Sequence, residues 1–187
     1  MAEETASSSL NFRPPSSSPA ASARPASFEP PPLDFLQGLW HVTHSTFPMW
    51  KSNRNVTVTY TLREFPAGTI DDLVEYQPLR SDKHKSVEGI DTPDAKTSAA
   101  YTWRGKGWLR IASSRWEILG YGSEDGGWAV TFFQKTLVSP AGIDIYARRR
   151  GGLSEDLLDR IKAEIKAMND PALEKQVEQI FEIKFNW

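Results

Sequence analysis

Residues 55–64 read NVTVTYTLRE, and this stretch decides the fold. Val56, Val58 and Tyr60 fall on one side of the alternation, and threonines fall on the other. A period of two is the pattern of a β-strand with one buried face. The stretch therefore predicts an amphipathic strand, and the Phe-Pro-Ala-Gly sequence at 65–68 predicts the turn that ends it.

Segments of strand character recur along the chain at short, regular intervals. They cover residues 70–77, 85–90, 99–104, 108–119, 128–135 and 143–148, with Gly or Pro clusters between most of them. No helical pattern separates these segments, so an antiparallel meander is expected instead of βαβ units. A sheet of seven or eight antiparallel strands avoids exposed edges by closing on itself. The predicted fold class is mainly β, an antiparallel eight-stranded barrel; a two-sheet sandwich is the alternative.

After residue 150 the apolar spacing changes to that of a helix. Ser154 predicts an N-cap, because its hydroxyl can accept a bond from a free N–H group of the first turn. Pro171 predicts the first turn of a second helix. We expect residues 151–187 to form a helical segment that packs on the outside of the barrel or across one end. Its apolar positions are Leu157, Ile161, Ile165 and Met168, then Leu173, Val177, Ile180 and Phe181.

Residues 1–32 differ in composition from the rest of the chain. Ser, Pro and Ala fill 21 of the 32 positions, and Leu10, Phe12 and Phe28 are the large apolar residues after Met1. Such a segment buries too little surface to offset its ordering entropy. The sequence therefore predicts a disordered N-terminal tail whose removal leaves stability nearly intact, and a barrel domain over 33–150. A plastid or mitochondrial address is a less favoured interpretation of the tail.

Composition excludes several classes of function. The 187 residues include 22 Lys and Arg against 24 Asp and Glu, which argues against coating of nucleic acid or an anionic membrane. There is no cysteine, so disulfides, thiol nucleophiles and cysteine-ligated metals are excluded. No apolar run is long enough to predict a membrane span. We expect a cytoplasmic protein with no cofactor, no metal and no nucleic-acid partner, and the oligomeric state stays open.

Aromatic residues are concentrated in the part of the chain that follows the predicted tail. Nineteen of the 21 Trp, Tyr and Phe residues follow residue 32. Rings on the inward faces of the strands would line a cavity for an apolar, ring-containing or unsaturated molecule. The alternative is that the rings simply fill the core. The predicted ligand-binding residues are Trp50, Tyr60, Tyr76, Trp103, Arg110, Trp116, Phe132 and Tyr146.

Arg110 is the predicted polar anchor for that ligand. In a strand over 108–119 it shares a face with two tryptophans, and a buried guanidinium needs a carboxylate partner. The partner is either a carboxylate of the ligand or an internal Asp72 or Glu117. If the opposite face of the strand points inward, Arg115 takes this role.

The opening of the predicted domain resembles that of lipocalins and related calycins. The stretch LQGLW places Gly38 and Trp40 just before the first strand, and Arg148 follows the last one. In that family the Trp closes one end of the barrel and an arginine packs over its indole as a cation–π pair. The resemblance therefore implies that Arg148 lies over Trp40, with Arg149 or Arg150 as alternative partners.

The stretches GWLRIASSRWEILG, WAVTFF and SPAGID look like intracellular, fungal lipocalin-like proteins. This resemblance implies binding of a small hydrophobic molecule inside the barrel. Some such barrels in fungal secondary metabolism are similar to enzymes that steer cyclisations, including hetero-Diels–Alder closures. The alternative function is therefore a cofactor-free cyclase or dehydratase that orients its substrate, with polar help from Arg110, Tyr60, Tyr76 or His44. No catalytic residue is assigned, and an interaction module with a filled core is a third hypothesis.

Overall fold

The computed structural model describes residues 10–22 and 28–186 of the chain. In those ranges, the α-helices are α1 Leu33–Leu36, α2 Glu155–Lys166 and α3 Pro171–Glu178. The strands are β1 Gly38–Ser45, β2 Asn53–Leu62, β3 Ile70–Pro78, β4 Lys85–Pro93, β5 Ala100–Gly105, β6 Ser113–Gly122, β7 Trp128–Phe133, β8 Gly142–Ala147 and β9 Phe181–Glu182. No helix of the described ranges is long and apolar enough to cross a membrane.

Strands β1 to β8 form a closed antiparallel barrel. Each strand pairs with the next along the chain, and β1 pairs with both β8 and β2. The two-residue β9 pairs with the end of β1. The predicted eight-stranded antiparallel barrel is confirmed, and the sandwich alternative is wrong because one continuous sheet closes on itself.

The stretch that predicted the fold forms most of β2, at the closure of the barrel. Val56, Val58 and Tyr60 are buried inside, whereas the threonines between them are half-buried or exposed. β2 pairs with β1 on one side and with β3 on the other. The period of two is clear here because one face of this strand is buried and the other meets solvent.

The strand predicted over 108–119 starts later than expected. Residues Gly107–Ile111 form a 3₁₀ turn, and β6 begins at Ser113. Gly107 has a φ of +60°, a conformation that interrupts an extended strand. The side chain of Trp108 is consequently 87% exposed on this turn.

Helices α2 and α3 pack on the outer face of the barrel. The Ser154 side chain accepts a bond from the Leu157 N–H, so the predicted N-cap is present. Asp170 caps α3, whose first residue is Pro171. The apolar stripes of both helices cover β7 and β8, so these strands are buried on both faces. The shared cluster includes Val130, Ile143, Ile145, Leu157, Ile161, Ile165, Leu173 and Val177.

Residues 10–22, which we call the strap, pack on the outer wall of the barrel. The prediction of disorder does not hold for this part of the tail. Phe12 is 8% exposed and stacks on Trp128 with ring centroids 5.6 Å apart. A Cβ atom at Gly120 would lie 2.6 Å from the Phe12 ring, so the glycine leaves the space that the ring fills. One deeply buried ring thus outweighs the low apolar content of the segment.

A buried carboxylate on β6 also holds the strap. The Glu117 side chain is fully buried and lies 3.3 Å from the Arg13 guanidinium. The backbone N–H and the hydroxyl of Ser16 both donate to the same carboxylate. A buried carboxylate requires such partners, and the strap supplies them. The remaining residues of the predicted tail, 1–9 and 23–27, lie outside the described part of the chain.

The two ends of the barrel differ in what covers them. The closed end is covered by α1 and by the loops at 63–69, 94–99 and 123–127. The open end is the opposite one, where the chain connects β1 to β2, β3 to β4, β5 to β6 and β7 to β8. Its four loops are residues 46–52, 79–84, 106–112 and 134–141.

Candidate functional site

The closed end is sealed by a tryptophan beneath an arginine. The Arg148 guanidinium carbon lies 3.5 Å from the centre of the Trp40 ring, and its Nη1 donates to the Leu39 carbonyl at 2.7 Å. The Trp40 indole N–H donates to the Leu36 carbonyl at 2.9 Å. Gly38 has a φ of +99°, which glycine adopts without strain. Of the three arginines considered, Arg148 is the one that lies over the indole.

Above that seal, stacked rings fill the lower half of the barrel. Trp116 stacks between Tyr60 and Tyr101, with centroid distances of 5.7 and 4.8 Å. The Trp116 indole N–H donates to Asp91 at 2.7 Å. In this half of the barrel the aromatic side chains pack as a filled core.

A cavity of about 260 Å³ occupies the upper half and reaches the open end. This volume is near the lower limit for small-molecule sites. Its lining contains no Lys, Arg or His side chain among the described residues. The walls comprise Val42, Phe47, Met49, Trp50, Val58, Tyr60, Val74, Trp103, Phe133, Val138 and Tyr146, together with Asp72, Ala112, Ser113, Ser114, Thr136, Ser139 and Asp144.

The structure brings most of the predicted ligand residues to this cavity or to its edge. Trp50, Tyr60, Trp103 and Tyr146 line it directly. Tyr76 packs edge-on against Trp50, with centroids 5.5 Å apart. Trp116 lies below, in the ring stack. Their role in binding stays a prediction.

Two of the predicted ligand-binding residues, Arg110 and Phe132, lie outside the cavity. Arg110 is exposed on the 3₁₀ turn before β6, outside the cavity. Its alternative, Arg115, also misses the cavity, since its guanidinium contacts Asp94 and Thr97. Neither arginine is placed to anchor a ligand inside the barrel. Of the two internal partners proposed for Arg110, Asp72 and Glu117, Glu117 instead binds the strap.

Phe132 lies on the outer face of β7. It belongs to the cluster beneath α2 and α3, whereas Ala129 belongs to the core inside the barrel and Phe133 lines the cavity. Phe132 therefore faces outward together with Trp128 and Val130, and the expectation that its ring lies on the inward face is wrong. Alternation cannot distinguish the two faces of a strand that is apolar on both sides.

A buried carboxyl group, Asp144 on β8, faces the cavity. Its side chain lies beside Ser45 and Trp50, and its Oδ1 has no hydrogen-bond partner among the described residues. The indole N–H of Trp50 also lacks a partner of normal geometry there. Burial raises the pKa of Asp144 to about 7, against the opposing effects of Ser45 and Trp50. The group can therefore exchange a proton near neutral pH.

A second carboxyl group, Asp72 on β3, lines the same cavity. Burial raises its pKa well above the usual value, and the charge of Asp91 on the neighbouring strand raises it further. Burial also raises the pKa of Asp91 to about 7, although the Trp116 hydrogen bond opposes this. Asp72 Oδ1 has no partner among the described side chains and backbone. The raised pKa favours the protonated form of this carboxyl, and that form can donate a hydrogen bond.

Two phenols complete the polar part of the site. Burial raises the pKa of Tyr60 and of Tyr146 well above the usual value. The two side chains also interact: Tyr146 raises the pKa of Tyr60 further, whereas the hydrogen bond with Tyr60 opposes the rise at Tyr146. Both are therefore neutral hydrogen-bonding groups throughout the physiological range. The site combines aromatic walls with neutral or neutralisable oxygen groups, which suits a hydroxyl or carbonyl oxygen on an otherwise apolar molecule.

Sequence reasoning named Asp72 only as a partner for Arg110 and did not single out Asp144. The available signal was an acidic residue in the apolar strand GIDIYA, on the same face as Tyr146. His44 does not reach the cavity, because its Nδ1 contacts Thr43 and it lies near Lys162 of α2. Among the described residues, no three His, Asp or Glu side chains group together in a way that would hold a metal ion.

The fold and the site define a closed antiparallel β-barrel with an aromatic cavity that contains carboxyl groups. No family model matches this chain. A curated relative is "Botcinic acid biosynthesis cluster B protein 12" of Botryotinia fuckeliana (strain B05.10). It is 26% identical over 82% of this chain and 74% of its own length. Membership of the lipocalin family stays a prediction.

Proposed function

We propose that the barrel binds a small, neutral, largely apolar molecule that carries a hydroxyl or carbonyl oxygen. One observation carries this proposal: Asp72 and Asp144 each present an unpartnered carboxyl oxygen at the wall of an aromatic cavity. Buried polar atoms are almost always hydrogen-bonded, and an atom without a partner points to a missing donor or acceptor. A ligand oxygen that reaches either carboxyl group would supply it.

The charge of the cavity favours a neutral ligand over a fatty-acid anion. Two carboxyl groups line the cavity and no cationic side chain does so among the described residues. A ligand carboxylate would be desolvated in this space with no cation to pair with, which is costly. The hypothesis that an arginine holds a ligand carboxylate is therefore not carried forward. A cytoplasmic location remains a prediction that rests on the absence of cysteine.

Fluorescence titration with 2-naphthol, a neutral ring compound with one hydroxyl, tests the proposal. Saturable quenching of the tryptophan emission is expected, because Trp50 and Trp103 line the cavity. In the Val74→Phe variant the new ring enters the cavity and quenching should be lost. The matched control is Leu73→Phe, the adjacent half-buried residue on the opposite face of β3. Equal binding by both variants, with both folded by circular dichroism, would contradict the proposal.

The second candidate is a cofactor-free enzyme of the cyclase or dehydratase type. Two observations favour it: a buried carboxyl with a pKa of about 7, and a relative named for a biosynthesis cluster. A carboxyl with this pKa can give a proton to a leaving hydroxyl or take one from a reacting group at neutral pH. The cavity walls would hold the substrate in the reactive conformation.

Asp144→Asn separates the carrier from the enzyme. The molecule that copurifies with the protein would be released and incubated with the native protein and with this variant. An enzyme predicts that only the native protein converts it, to an isomer or to a product lighter by one water, while the variant still binds it. A carrier predicts that both proteins return it unchanged.

A further inference from the structure

The exposed apolar side chains of this molecule are concentrated at the open end of the barrel. Of the seven large exposed apolar side chains in the described ranges, five lie on open-end loops. Leu137, Val138 and Ile111 are at least 94% exposed, and Trp108 is 87% exposed. Met49, the fifth, lies on the loop between β1 and β2. Exposed apolar groups that cluster in one place mark an interaction site.

Basic residues surround these apolar tips. The four open-end loops contain six Lys or Arg residues and one acidic residue, Asp82. Asp82 is neutralised by Arg54 at 2.6 Å. Lys106 is paired with Asp71 at 2.7 Å, whereas Arg110 and Lys135 form no ion pair within the described part of the chain. The overall net charge of −2 therefore conceals a locally positive end.

We propose that the open end docks on an anionic lipid surface. Apolar side chains inserted below the headgroups, with Lys and Arg at headgroup level, are the arrangement by which proteins bind such interfaces. Each of these cations would add electrostatic attraction to an anionic leaflet. The whole chain need not be basic, because the potential that matters acts within a Debye length of the docked loops.

The shape of the open end favours a lipid surface over a protein partner. The four most exposed apolar side chains project in two pairs from two loops, Trp108 with Ile111 and Leu137 with Val138, and few neighbouring atoms cover them. A fluid interface accommodates such projections one at a time, whereas a stable protein interface requires a well-packed contiguous surface.

Docking in this orientation places the mouth of the cavity against the lipid. Ala112 and Val138 line the cavity and belong to two of the docking loops. A mostly apolar molecule would then move between bilayer and barrel without crossing water. The inference goes beyond the proposed function, because docking does not require any particular ligand in the cavity.

Vesicle cosedimentation of the full chain tests the inference. The protein should bind vesicles of phosphatidylcholine with one third phosphatidylserine, and should not bind phosphatidylcholine alone. The Leu137→Ser/Val138→Ser double variant should bind at least about tenfold more weakly, because it loses two inserted apolar side chains. The matched control is Phe65→Ser, which removes an 83% exposed ring from the closed end and should change nothing.

A charge variant tests the second half of the inference. Arg110→Gln with Lys135→Gln should weaken binding by about fivefold per cation removed. Lys96→Gln with Lys166→Gln removes two exposed cations outside the open-end loops and should have no effect. Failure of the native chain to bind anionic vesicles, or equal losses in test and control variants, would overturn the proposal. So would a dimer without lipid that Leu137→Ser/Val138→Ser dissociates, since a second copy would then cover this face.

Discussion

Each end of the barrel carries a tryptophan and an arginine, but the two pairs are used in opposite ways. At the closed end Trp40 is completely buried, and Arg148 lies 3.5 Å over its ring. At the open end Trp108 is 87% exposed, and Arg110 on the same turn faces solvent. The Trp and Arg pair therefore stabilises the fold at the closed end, whereas at the open end both side chains remain exposed and can contact a binding partner.

The difference separates stability from function along the barrel axis. The closed end and the ring stack above it contain the well-packed rings, and the Trp40 and Trp116 indoles there donate hydrogen bonds to Leu36 and Asp91. The open half contains the cavity, the unpartnered oxygens of Asp72 and Asp144, and the exposed loops. Substitutions near the closed end should therefore reduce the free energy of unfolding, whereas those near the open end should change binding.

The largest expected effect is that of Trp40→Ala, which should reduce the free energy of unfolding by about 3–5 kcal/mol. The variant opens a cavity at the closed end and removes the surface on which Arg148 packs. Urea unfolding measures the loss. Trp108→Ala is the matched control at the open end and should stay within about 0.5 kcal/mol of the native chain. Similar losses in both variants would remove the distinction between the two ends.

Phe12→Ala should reduce the free energy of unfolding by about 2–4 kcal/mol, because the ring fills the space left by Gly120. The same unfolding experiment applies. Asn11→Ala, at the adjacent exposed residue, is the control and should have almost no effect. If Phe12→Ala is also silent, the strap does not contribute to stability, and the expectation of a dispensable tail would hold for this segment.

Asp144→Asn should stabilise the protein at pH 8 by about 1–3 kcal/mol more than it does at pH 5. Burial raises the pKa of Asp144 to about 7, above the usual value of 3.8. The folded state therefore keeps a proton that the unfolded state loses, and the contribution of this group to stability falls as pH rises between those values. Urea unfolding at both pH values measures the difference. An equal effect at the two pH values would show that the carboxyl is not buried as described.

Arg110→Ala gives the smallest expected effect: the affinity for 2-naphthol in solution should stay within about twofold of the native value. The residue lies outside the cavity, so its removal leaves the lining unchanged. Fluorescence titration measures the affinity, and Val74→Phe serves as the positive control for loss of binding. A tenfold loss in Arg110→Ala would place the ligand against the open-end loops and outside the barrel interior.

The barrel could be predicted from the sequence because the strand at the closure, β2, has one buried and one solvent-facing side. Val56, Val58 and Tyr60 alone indicate its inward face. The inward face of β7 could not be predicted in the same way. α2 and α3, which lie later in the chain, bury its outer face, so both faces are apolar.

Two further features depend on contacts between residues that are distant in the sequence. Phe12 is ordered by Gly120 and Trp128, about a hundred residues later, and the composition of the tail contains no sign of this. Asp144 gains its raised pKa from burial, which requires the closed barrel. Local sequence patterns predict the individual strands. The cavity is formed by side chains from several strands that are distant in the sequence, so local patterns do not predict it.

Native mass spectrometry of the protein purified from its own source tests the central claim most directly. We predict one small neutral molecule bound per native chain, retained by the Leu73→Phe variant and absent from the Val74→Phe variant. Two results would contradict binding in the open-end cavity: the mass of the polypeptide alone for all three folded proteins, or the same bound molecule on all three.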